Sequence, residues 1–169
     1  MVGKGLNKSG SLANYRVIHF ATHGLVSGDL PGVSEPALLL TPPETATAAD
    51  DGLLTASEVS QTKLDANWVV LSACNTASGG SQGAEALSGL AKAFFYAGSR
   101  ALLVTHWEIE SEAAVKLTTG AFSAIENNPR LSQAEALRTA MAALVSDQTL
   151  NPHPAIWAAF ALIGDGGRR

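Results

Sequence analysis

The sequence holds one cysteine, Cys74, and four histidines, and the chemistry it suggests turns on whether one of those imidazoles meets that thiol. A cysteine attacks as its thiolate, so it needs a neighbour that lowers its pKa or takes its proton, and an imidazole is the usual choice. His23 is the candidate base. A single cysteine excludes an internal disulfide and a multi-cysteine zinc site, leaving packing, redox sensing or nucleophilic catalysis. A lone cysteine is more often a small core residue than a nucleophile, and a lone histidine is equally ambiguous. What favours catalysis is that both residues follow apolar runs and precede loops of small or turn-forming residues.

Other constellations are weaker. His19 and His23 are four apart, which on a helix would put two imidazoles on one face as a metal pair. On a strand the same spacing separates them by about 13 Å, too far to share an ion, so no metal is expected. Asn75-Thr-Ala-Ser-Gly-Gly-Ser81 looks like an anion-binding loop after a strand, but it has no lysine and lacks the Walker spacing. Gly80 stands where a cysteine-dependent phosphatase would carry arginine, which disfavours phosphoryl chemistry. His106 follows the third apolar run, where a packing or surface role is expected, and His153, between Pro152 and Pro154, reads as a turn residue. Glu108, Glu110 and Glu112 form a short acidic run, either a solvated face or a receptor for a basic side chain.

The elements that must position these residues are legible in outline. Tyr15 to Ala21 is β-branched and aromatic and predicts a buried strand ending at His23-Gly24. Residues 25–54, rich in glycine and proline, predict a long surface excursion with one short strand around Ala37 to Leu40. Thr55-x-x-Glu58 is a capping-box pattern that starts a short helix. Trp68 to Ser72 is an apolar strand of the kind covered on both faces of a parallel sheet, with Cys74 just past its end. Helical spacing through Leu87, Leu90, Ala91 and Phe94 ends at Gly98. A third strand spans Ala101 to Thr105, Ser111 is expected to cap the next helix, and Pro129 to stop it. Ser132-x-x-Glu135 opens a further helix, and Ile156 to Ile163 predicts a last strand. Strands alternating with helices give an α/β fold with a mostly parallel sheet and helices on both faces. In such sheets, sites form beyond the C-terminal strand ends, where His23 and Cys74 both fall.

At 169 residues the chain is the size of one domain. It is 46% hydrophobic and 15% charged, with no apolar run long enough to span a membrane and no signal-peptide core, which reads as cytoplasmic. A net charge of −4 without a basic cluster offers no footprint for nucleic acid or an anionic membrane surface.

Phe20-Ala-Thr-His-Gly24, Asp51-Gly-Leu-Leu-Thr-Ala-Ser-Glu58, Val69-Val-Leu-Ser-Ala-Cys-Asn-Thr76, Leu87-Ser-Gly-Leu-Ala-Lys-Ala-Phe94, Ala97-Gly98 and His106-Trp107 resemble, in order, the motifs of the CHAT domain family. His153-Pro154 and Trp157-Ala-Ala-Phe160 resemble its closing motif, and the match runs from about residue 12 to 167. The resemblance implies a caspase-like α/β fold related to separase and the caspases, in which His23 and Cys74 form a dyad that hydrolyses peptide bonds without a cofactor. By the same analogy the backbone amides of Gly24 and Cys74 hold the oxyanion, and Glu108 and Ser111 lie in the substrate-recognition loop, with a preference for Arg or Lys before the cut. A cysteine-dependent amidase acting on small molecules, and a non-catalytic fragment or interaction module that needs a partner to complete the fold, are the alternatives.

Family members are usually bacterial and often fused to tetratricopeptide repeats, which makes such a repeat or an upstream polypeptide an expected partner, beside a protein or peptide substrate. This sequence departs from the family in two places. Relatives extend well upstream of the histidine-bearing strand, whereas here Met1 to Asn14 precede it, so the chain reads as a single domain truncated at its N-terminus, with residues 1–11 as a disordered lead-in. Tyr15 to Ala21 is then expected at a sheet edge, open to self-association. The loop after the third strand reads His106-Trp-Glu-Ile-Glu-Ser111, where relatives often have Leu-Trp and a closing Asp.

Overall fold

The computed structural model describes residues 11–47, 50–72, 81–107, 109–147 and 153–167, without the side chains of 81–88. After a 3-10 turn at Ser11–Asn14 the elements are β1 (Val17–Phe20), β2 (His23–Leu25), β3 (Ala37–Leu39), β4 (Leu53–Thr55), α1 (Ala56–Ser60), β5 (Trp68–Leu71), α2 (Ser81–Tyr96), β6 (Ala101–Thr105), α3 (Ser111–Asn127), α4 (Gln133–Ser146), α5 (Pro154–Trp157) and β7 (Phe160–Gly164).

The main sheet has the order β1-β5-β6-β7. β1, β5 and β6 are parallel, and β7 closes the far edge antiparallel to β6. β5 and β6 are buried at every position, as continuous apolar strands sandwiched between two layers must be. On one face Ile18, Phe20, Val69, Leu71, Leu102 and Val104 meet Leu90, Ala93 and Phe94 of α2. On the other, Trp68, Val70, Ala101 and Leu103 meet Ala113, Leu117 and Ala121 of α3 and Leu137, Ala140 and Leu144 of α4. Alternate strand residues therefore feed opposite cores, and each fully buried Leu, Val or Phe contributes about 1.5–3 kcal/mol relative to exposure. The expected α/β architecture, a mostly parallel sheet covered on both faces, is what forms.

β1 alternates instead of being buried throughout: Ile18 and Phe20 are inside, Val17 and His19 exposed. Among the described residues it is the edge of the main sheet. Its only charged flank, Arg16, is held by Asp65 at 2.9 Å.

Several local expectations need correction. The excursion at 25–54 holds more than one strand: β2, β3 and β4 make a separate three-stranded antiparallel sheet. Strands of three residues are too short to display a period-2 pattern, which is why only the apolar β3 was visible in the sequence. His23 consequently opens a strand, opposite Leu39, rather than a loop. Ser111 is not the cap of α3: Glu110 occupies that position, makes no side-chain cap bond, and leaves Ser111 as the first helical residue. The apolar stretch 156–163 is divided, because His153 caps a short helix with its Nδ1 accepting the Ala155 amide at 3.2 Å, and the strand begins only at Phe160. Both capping boxes form as expected, at Thr55 with Glu58 and at Ser132 with Glu135.

Gly98 ends α2 with φ of +106°, and a Cβ there would collide with the Leu64 carbonyl oxygen. Leu64 donates its amide to Ala97 O at 2.6 Å, locking this helix exit against the chain entering β5. Gly98→Ala is expected to lower unfolding free energy by about 1–3 kcal/mol through backbone strain, with the clash adding to it. Urea denaturation of the two proteins measures the difference; equal midpoints would show that this exit adapts freely.

Candidate active site

The register of β1 and β5 fixes the geometry from which a site can be built. Phe20 lies opposite Leu71, the last residues of two neighbouring parallel strands. His23 follows Phe20 by three residues (23 − 20) and Cys74 follows Leu71 by three (74 − 71). Neighbouring strands are about 4.8 Å apart, so in sequence the two candidates follow strand ends that are paired at one sheet edge. Cys74 itself, and with it the Cys74 amide, lies outside the described residues, as does Glu108.

On the β1 side the chain turns from the main sheet into the small one. Thr22 Oγ1 donates to the Leu39 carbonyl, and β2 then pairs with β3, so His23 is held at a junction of two sheets. Its side chain is exposed, while Gly24 beside it is buried. An open cleft of about 470 Å³ runs along this junction, lined by His19 through His23 and by Leu39, Leu40 and Thr41. β2 is itself an edge of its sheet, so part of its backbone, the strand that carries Gly24, has no ladder partner among the described residues.

The cleft brings in a pair that the sequence reading did not join. His19 Nε2 and Ser72 Oγ are 2.7 Å apart and share a hydrogen bond whose direction follows the imidazole tautomer. His19 pairs with Val70 across the ladder, and Ser72 is two residues beyond Val70 on the same face, so the contact ties the C-terminal ends of β1 and β5 together. Desolvation against the sheet holds the His19 pKa below its ordinary value. Strand alternation alone could have placed both on one face, but only the register shows that they meet.

The loop after β6 rises from the same edge. Trp107 Nε1 donates to Ala155 O at 2.8 Å, and Ile109 is buried, so the loop is fastened on both sides of Glu108. Ser111 is exposed at the start of α3, and His106 packs its ring against Trp107 at 6.2 Å. The structure thus describes His23, Gly24 and Ser111 on elements at or beyond the C-terminal edge of the sheet. Among the described residues no cluster of three or more His, Cys, Asp or Glu side chains could hold a metal ion.

A search against protein families matches the CHAT domain over residues 6–165, nearly the whole chain. The chain belongs to the CHAT domain family. The mixed sheet and its helices are those of the caspase-like architecture that the motifs of this CHAT domain implied. Over 188 aligned residues it is 29% identical to tetratricopeptide repeat protein 28 of Mus musculus, covering 91% of this chain and 7% of that protein. The chain therefore spans a small fraction of the relative's length. No helix among the described residues is long and apolar enough to cross a membrane.

A histidine whose folded pKa lies below its unfolded value disfavours protonation in the native state. Its contribution to stability is complete above pH about 6.5 and lost as the pH falls below that value. NMR titration of the CHAT domain should therefore give His19 a midpoint below about 6.5. Ser72→Ala should displace that midpoint without unfolding the protein. A His19 midpoint at or above the ordinary value, unaltered by the substitution, would show that the ring is solvated and the contact absent in solution.

Proposed function

We propose that this CHAT domain is the catalytic part of a cysteine endopeptidase, with Cys74 as nucleophile and His23 as general base. The observation that carries the reading is the β1–β5 register, from which both residues follow at equal offsets. In the reaction His23 takes the Cys74 thiol proton and the thiolate attacks the scissile carbonyl carbon. The amides of Gly24 and Cys74 stabilise the tetrahedral oxyanion. The intermediate collapses as His23 returns the proton to the leaving amine, leaving a thioester. Water, deprotonated by His23, then attacks the thioester, and the thiol and a carboxylic acid are released. Residues from Glu108 to Ser111 contribute to the pocket for the side chain before the cut, where Glu108 favours Arg or Lys. The cleft beside His19 and Leu39 is open and runs along a strand edge, which supports an extended protein segment as substrate over a small amide.

The edge of β1 is the corresponding site for a partner. Exposed Tyr15 and Val17 and a strand edge without a ladder partner among the described residues fit a second copy or another polypeptide adding a strand, and the similarity to a tetratricopeptide repeat protein makes a repeat-bearing partner a natural activator. A non-catalytic interaction module is the second reading, favoured by the same open edge.

A fluorogenic peptide library assayed on the wild type, Cys74→Ala and His23→Ala, with size-exclusion chromatography and light scattering on the same preparations, tests these assignments together. Cleavage after Arg or Lys, lost by at least about 10³-fold in either variant and indifferent to EDTA, is expected, most strongly in self-associated or partner-bound fractions. Cleavage that survives both substitutions would reject the dyad, and a preference for Asp or bulky apolar residues would reject the specificity. A dispersed monomer with full turnover would remove the role given to the edge.

A further inference from the structure

At the opposite end of the sheet, where β1 and β5 begin, lies a second cavity of about 370 Å³ between the strand starts and the corner joining α3 to α4. Three of the residues lining it carry buried polar atoms with no hydrogen-bond partner among the described residues: Asn67 Oδ1, Trp68 Nε1 and Gln133 Oε1. Trp68 is only 1% exposed, so its indole N–H has no solvent in reach except what the cavity admits. Gln133 is not free to turn, because its Nε2 donates to the Asn67 carbonyl at 3.0 Å, which both fixes Oε1 as an acceptor and holds it beside residues 67 and 68. Buried polar groups are almost always satisfied, and three orphans on one cavity are therefore a signature of something that fills it.

We propose that this cavity is a binding site for a primary carboxamide carried on an apolar or aromatic body. The orphan set is one donor and two acceptors, and a primary amide offers the complement, one carbonyl for the Trp68 N–H and two N–H donors for the oxygens of Asn67 and Gln133. Phe122, Ile125 and Leu131 supply an apolar wall, with Phe122 edge-on to Trp68 at 5.2 Å between ring centres. Of the charged side chains lining it, Arg100 pairs with Asp165 and Glu126 is an exposed carboxylate, so no cation is left to favour an anionic head and a neutral one fits the orphan set. The carboxamide has two sources, a small aromatic amide or the side chain of a glutamine or asparagine in a polypeptide. The site stands apart from the Cys74–His23 edge and does not rest on the peptidase reading.

The three tryptophan indole N–H signals of the full chain can be followed in ¹H–¹⁵N spectra, with Trp68 assigned by Trp68→Phe. Benzamide, its N,N-dimethyl derivative and N-acetylglutamine methylamide are the probes. Benzamide should shift the Trp68 signal saturably, the dimethyl compound should bind at least about tenfold more weakly, and Gln133→Leu should weaken benzamide similarly. A stronger response to the glutamine compound than to benzamide assigns the site to a polypeptide, and the reverse to a small molecule. If neither amide moves the Trp68 signal, or the dimethyl compound matches benzamide, the cavity holds water or sorts only by apolarity, and the proposal is wrong. The probe comparison stands on the wild-type chain, so a variant that fails to fold does not leave the question open.

Discussion

The parallel pairing of β1 with β5 is the interaction on which the rest of the molecule depends. It sets Phe20 against Leu71 and His19 against Val70, and thereby decides which side chains of two distant segments share an edge. A slip of one residue would exchange the faces of one strand, bringing Ile18 and Phe20 out of the core they share with Phe94 and turning Val17 and His19 inward. The Phe20–Phe94 ring contact, at 5.5 Å between centres, sits on the side that such a slip would empty. Register is thus held by burial on one face and, on the other, fastened by His19 and Ser72 at the strand ends.

The two faces do different work because of this arrangement. One core, built on α2, continues into Leu38 and Leu54 of the small sheet and so couples the main sheet to β3 and β4. Through the β2–β3 ladder that coupling reaches His23, which explains how an exposed residue is positioned without being packed. The other core, built on α3 and α4, carries Trp68 and leaves the cavity at the strand starts. The C-terminal strand edge and the cavity are therefore opposite ends of the same two strands.

Most of the main sheet was readable because its signals are local and strong. Trp68 to Leu71 and Ala101 to Thr105 are uninterrupted apolar runs, Gly98 stops a helix that only glycine can exit in that geometry, and two capping boxes mark helix starts. The small sheet was mostly hidden, since three-residue strands between glycines and prolines carry no periodicity and are made by pairing with distant segments. The same reason hid the His19–Ser72 contact: the residues are 53 apart in sequence and meet only through strand register. Ser111 looked like a helix cap by type, yet Glu110 takes the position without a side-chain bond, so residue preference there was overridden by the fastened loop. That His23 follows an apolar strand was legible in the sequence, whereas the pairing of Phe20 with Leu71 that ends the two strands together was not.

Whether Cys74 meets an imidazole is read directly, without any knowledge of substrate, from the rate of its alkylation by iodoacetamide at low pH. A free cysteine, with a pKa of about 8.5, is about 1% thiolate at about pH 6.5. In the intact chain Cys74 should react well above the rate of a free cysteine model at that pH, and His23→Ala should bring it back to that rate. Equal, slow alkylation of both proteins would contradict the account.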